Sequence, residues 1–221
     1  MKFLTRCVLT LLYAYSAVAL GAASASVGNV SRVNGSVTIE AGQQAGDVST
    51  VNGSITIGAE ARVGHVETVN GSVKVAERAV VGAAETVNGG IVLGQGASVL
   101  GAVEAVNGSM TLRSGAHVAG ELANVNGDIL VDGASVDGGL STTNGDIRLA
   151  TGARVAGGIH VQPTRRSWFS LGDGDRPRIT IEQGVELQGP LHFEREVDLY
   201  VAPGVQLPDV QGVAPRRYTL E

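Results

Sequence analysis

The stretch Val51-Asn52-Gly53-Ser54-Ile55-Thr56-Ile57 returns in altered form at Asn34, Asn70, Asn88, Asn107, Asn126 and Asn144. Successive Asn-Gly pairs are 18, 18, 18, 19, 19 and 18 residues apart. A fixed period near twenty is the signature of a solenoid, in which each repeat buries its apolar face against the next. Within the stretch, Ser54 and Thr56 alternate with Ile55 and Ile57, the period-two pattern of a strand with one buried face. Val37, Ile55, Val73, Ile91, Met110, Ile129 and Ile147 form one such inward set. Val51, Ile57, Val63, Val69, Val75, Val81, Val87, Leu93 and Val99 follow at six-residue intervals, so each turn divides into three short sides. A helix would need a 3.6-residue period, and the frequent glycines disfavour one. The predicted fold is all-β: a single-stranded parallel β-helix of about 18 residues per triangular turn.

The Asn-Gly pairs fall at a corner, where glycine can adopt positive φ without a Cβ penalty. Asn-Gly also marks hairpins, but antiparallel pairing would need a reversing turn between every pair of strands, and the other two corners lack one. Parallel stacking sets equivalent residues about 4.8 Å apart, so their amides can bond up the stack. Asn34, Asn52, Asn70, Asn88, Asn107, Asn126 and Asn144 are therefore expected to form a structural ladder. Asn34, Asn52, Asn70 and Asn107 also stand in Asn-Gly-Ser triplets; corner packing accounts for them better than glycan attachment does.

Residues 1–25 read as a signal peptide. Lys2 and Arg6 precede a mostly apolar run from Val8 to Leu20, and Ala23-Ser24-Ala25 places cleavage before Ser26. The run is too short to span a bilayer. Cleavage would remove Cys7, the single cysteine, and leave 14 basic against 21 acidic side chains, a net charge of −7. Disulfides then cannot hold the fold together, and the charge speaks against general nucleic-acid binding. No later run is long enough to cross a membrane. The expected location is periplasmic or secreted.

Composition changes near residue 162. All six prolines lie beyond it, as do Trp168, Phe169, Phe193, Tyr200 and Tyr218, the only aromatics after residue 25. Residues 26–162 read as the repeat array, and residues 163–221 as a loop followed by C-terminal turns and a cap. Strand pattern resumes at Arg178-Ile179-Thr180-Ile181, and Glu182-Gln183-Gly184-Val185 matches Ala202-Pro203-Gly204-Val205 twenty residues on. A bare solenoid end exposes apolar interior and unpaired strand edges, and prolines cannot donate to a further rung. Trp168 and Phe169 are either a lid on that end or an exposed partner anchor.

The short sides Ala134-Ser135-Val136-Asp137-Gly138-Gly139-Leu140 and Ala153-Arg154-Val155-Ala156-Gly157-Gly158-Ile159 resemble those of the bactofilins, polymer-forming bacterial cytoskeletal proteins. The likeness covers residues 26–162 at the level of pattern. It implies a right-handed β-helix that assembles end to end without nucleotide. The signal peptide and the C-terminal segment depart from that family. The Asn-Gly-Ser and Asn-Gly-Asp rungs also resemble adhesin-type β-solenoids of bacterial envelopes.

The alternative class is a β-helix enzyme, either a hexapeptide acyltransferase or a polysaccharide-active protein. A hexapeptide enzyme wants a small residue at the fifth position of each side, where this chain repeatedly puts Ile or Val, and histidines at chosen turns. Counted from the preceding Asn, His65, His117 and His160 fall at different points of the turn, and His192 lies in the C-terminal segment. The sequence thus predicts no histidine cluster, no metal and no cofactor. Asp128, Asp146 and Arg148 alone approach the acid–base grouping of a lyase groove, and a solvated face explains them more simply. Glu67, Glu85 and Glu104 each precede the next Asn by three residues and should stack as an acidic row. Such a row serves solubility or faces a cation or basic partner, at some cost from like-charge repulsion. The overall expectation is an envelope scaffold that is not an enzyme, with itself or an envelope protein or polysaccharide as partner.

Overall fold

The computed structural model describes residues 26–163 and 176–220. Among them there is no helix; every regular element is a strand and every pairing is parallel. No described helix is long and apolar enough to cross a membrane. The chain winds as a solenoid of about ten turns. One turn runs Gln44–Ala45, Val48–Asn52 and Ile55–Ile57, three sides of unequal length. The sides that follow the Asn-Gly corner stack into a ten-stranded sheet from Val37–Ile39 to Arg216–Thr219, and the other two sides share a seventeen-stranded sheet.

Six residues of each central turn point inward. In one turn they are Ile55, Ile57, Ala61, Val63, Val66 and Thr68, all buried. The expected inward alternation of Val37, Ile55, Val73, Ile91, Met110, Ile129 and Ile147 is present in full. The six-residue series is right at Ile57, Val63, Val75, Val81, Leu93 and Val99 and wrong at Val51, Val69 and Val87, which are only half-buried. On that side the strand buries Val48 and Thr50 and turns Val51 outward before the corner. The buried residue on this side is thus a threonine: Thr50, Thr68 and Thr86 donate their hydroxyls to the carbonyls of Gly35, Gly53 and Gly71, one turn earlier, at 3.1, 2.9 and 3.0 Å. A hydrogen bond of this kind removes the penalty of burying the hydroxyl and ties two turns together.

Glycine at the Asn-Gly corner is required for two reasons, the positive φ its sequence suggests at some turns and the close approach of the neighbouring turn. Gly53 and Gly71 are outside the left-handed region. A Cβ on either would lie 2.2 or 2.0 Å from the carbonyl oxygen of the glycine one turn earlier. At these two positions the stacking of the turns, not the local dihedral, excludes a side chain. Positive φ is found at four other glycines of this corner, Gly35, Gly89, Gly108 and Gly127, at 104°, 155°, 158° and 130°, and also at the corner after the Ile55–Ile57 side, where Gly96, Gly115 and Gly152 have φ of 64°, 73° and 83°. Glu60 and Arg78 occupy the same conformation there at 61° and 55°, linked by an Arg78 Nη2 to Glu60 Oε1 ion pair of 2.6 Å. The Glu60 carboxylate raises the Arg78 pKa.

The turn after Asn144 has no Asn-Gly corner. Ile159–Val161 is the last described strand before residue 164, and Arg178–Ile181, the first after residue 175, pairs in register with Ile147–Leu149. From there the C-terminal residues continue both sheets, and Phe193 and Leu199 fill the interior, fully buried. Trp168 and Phe169 lie outside the described residues.

Candidate functional site

The asparagine ladder is continuous. Nδ2 of Asn52, Asn70, Asn88, Asn107, Asn126 and Asn144 each donates to Oδ1 of the Asn one turn earlier, beginning at Asn34, over 2.8 to 3.0 Å. Arg195 closes its far end, with Nη1 at 3.0 Å from both Asn144 Oδ1 and the Thr143 carbonyl. Its guanidinium reaches across the level where the next Asn would stand. The residue after each corner glycine bonds similarly. Ser36 and Ser54 accept the amide N–H of Ser54 and Ser72, and Asp128 and Asp146 accept those of Asp146 and Arg178, the last at 2.8 Å. The Asp128 and Asp146 side chains are therefore corner caps, not merely a solvated face, and Arg148 pairs with Glu182 across 2.5 Å.

Glu67, Glu85 and Glu104 are in register on consecutive turns, as their spacing requires, with Ser49 before them and Ala123 after. Glu67 is buried at 8% exposure. His65 leans toward the row, its Nε2 3.5 Å from Glu85 Oε1. The row is a linear array along the molecule.

One cluster overturns the expectation that the histidines stay apart. His160 and His192 are direct neighbours on adjacent strands, Ile159–Val161 and Leu191–Phe193. Their rings meet edge to face with centroids 5.1 Å apart. Glu194, two residues after His192 and so on the same outward face, places Oε1 at 2.6 Å from His160 Nε2 and 4.0 Å from His192 Nε2. The pair lines a groove floored by Gly139, Gly157, Gly158 and Pro190, with Glu121 at its far end. The groove leaves open space beside the two imidazoles. The sequence held a signal for this: Gly157-Gly158-Ile159-His160-Val161 and Gly189-Pro190-Leu191-His192-Phe193 match position by position. Counting from asparagines hid it, because the corner preceding the second pentapeptide has none.

No protein-family model matches the chain, and neither a curated protein nor a solved structure matches it. The class shown is the parallel β-solenoid, and its fold rests on the geometry above.

Proposed function

We propose that the chain is an extracytoplasmic scaffold of the bacterial envelope, which presents straight rows of repeated side chains to itself or to an envelope protein or polysaccharide. The observation that carries this reading is the use made of the repeated polar residues. The Asn, Thr and Ser/Asp rows bond one turn to the next, and what recurs on the outside is a linear row such as Glu67, Glu85 and Glu104. Linear arrays at the strand spacing suit an extended polymer or a second solenoid. The basic-apolar-small order of residues 1–25 supports export, and the bactofilin-like pattern of residues 26–162 supports assembly. The last turns, with Pro203, Pro208 and Pro215, act in this reading as the guard of one end.

The test expresses the whole chain in a Gram-negative host, fractionates the cells, and compares the purified product with a form truncated after Gln162 by sedimentation velocity. The reading expects a periplasmic product beginning at Ser26, and end-to-end association that grows on truncation. A cytoplasmic product retaining residues 1–25 would refute export. A truncated form as monomeric as its parent would refute the guard.

A further inference from the structure

We propose that His160, His192 and Glu194 bind one divalent transition-metal ion, of the zinc, cobalt or nickel class, at the rim of the glycine-floored groove. The inference is independent of the scaffold reading. The three donor atoms all lie within 4.8 Å of one another, and both Nε2 atoms converge on the same carboxylate. In a tetrahedral site with metal–nitrogen distances near 2.0–2.1 Å, donors are separated by about 3.4 Å. Moving from 2.6 and 4.0 Å, and from donor separations of up to 4.8 Å, to that spacing requires side-chain shifts of up to about 1.5 Å. The backbone needs no change, because strand register fixes one histidine over the other and the pleat puts His192 and Glu194 on one face. Two imidazoles and a carboxylate are donors suited to such ions and poorly suited to calcium or magnesium.

The groove that the two histidines line leaves room beside them for water or an incoming donor. The site also has a mechanical consequence. His160 precedes the 164–175 segment and His192 and Glu194 follow it, so an ion would clamp the two turns that the chain joins least directly. In the absence of metal, the His160 to Glu194 contact holds the carboxylate in place. His192, at 4.0 Å, is the donor that pair does not need.

Cobalt(II) is the probe, titrated into the untagged chain and followed by visible absorption and calorimetry, with zinc(II) added to displace it. The expected result is one equivalent bound with a d–d spectrum of low coordination number, displaced by zinc, and a zinc-dependent rise in the unfolding temperature. His192→Ala leaves the His160 to Glu194 contact in place and should lose the one-equivalent step, as should Glu194→Gln; His117→Ala should retain it. Circular dichroism of each variant separates lost binding from lost fold. Absence of a one-equivalent step in the parent, or its persistence in His192→Ala, would overturn the proposal.

Discussion

The regular array and the C-terminal turns use the same strand geometry but are tied together by different side chains. Between Asn34 and Asn144 like stacks on like at the corner, Asn on Asn, and Ser or Asp against the next backbone amide, with opposite-charge contacts such as Arg78 to Glu60 beside them. Across the junction between residue 163 and residue 176, arginine–glutamate and histidine–glutamate pairs join the turns. Arg148 pairs with Glu182 at 2.5 Å, Arg154 with Glu186 at 2.9 Å and His160 with Glu194 at 2.6 Å, each between the last turn before the segment and the first after it. Arg176 pairs with Glu196 at 2.6 Å, Arg178 covers the Tyr200 ring, and Tyr200 stacks on Tyr218 with centroids 4.6 Å apart. The difference follows from connectivity. An eighteen-residue turn leaves little freedom for a strand to slip, so identical neutral neighbours suffice. Partners 32 to 34 residues apart are less constrained by the chain, and unlike charges single out one register.

The array is most easily broken through its phase. Deleting residues 70–78 puts the inward set of every later strand out of step and should abolish the native β spectrum, whereas deleting residues 70–87 removes one whole turn and should leave a soluble, folded chain. Equal folding of the two deletions would contradict the stacked turn as the repeating unit.

Single glycines separate the two regions by a smaller amount. Gly71→Ala sets a methyl against the Gly53 carbonyl and should cost roughly 3 kcal/mol in urea unfolding. Gly204→Ala meets nothing within 4 Å and bears only the strain of φ near 82°, about 1 kcal/mol. Finding the two equal would remove close stacking as the reason for the corner glycines. Smaller again is Asn88→Ala, which loses a bond to each neighbour and should cost roughly 1 to 2 kcal/mol. Thr56→Ala, on the outward face, should cost about 0.5 kcal/mol or less. Matching denaturation midpoints would show that the ladder contributes nothing.

How much of this was legible depended on whether a residue repeats. The Asn ladder and the Glu67, Glu85 and Glu104 row were readable because one residue type recurs at the turn length. The row containing Ala61, Ala79 and Ala97, fully buried at the second corner, was missed because alanine is abundant everywhere in the array and marks no position. Val51 was placed inside because six-residue spacing passes through it, while the real side is a five-residue strand, Val48–Asn52, whose buried member is Thr50. The pairing of His160 with His192 was obscured by the intervening segment. Only the recognition that Gly189-Pro190 replaces Gly157-Gly158 in the same corner restores the phase.

The contrast between neutral ladder and charged junction is tested most directly by hydrogen exchange at two ionic strengths, because salt screens exposed ion pairs and leaves amide ladders nearly untouched. Two exposed ion pairs, Arg148 with Glu182 and Arg154 with Glu186, at about 0.5 kcal/mol each correspond to roughly a fivefold change in local opening. On raising sodium chloride from about 0.05 to about 1 M, the backbone amides of Arg178–Ile181 and Leu191–Phe193 should exchange roughly fivefold faster. Those of Val73–Val75 and Ile91–Leu93 should be unchanged. Equal acceleration in both regions, or none in either, would contradict the claim that charge pairing holds the register of the C-terminal turns.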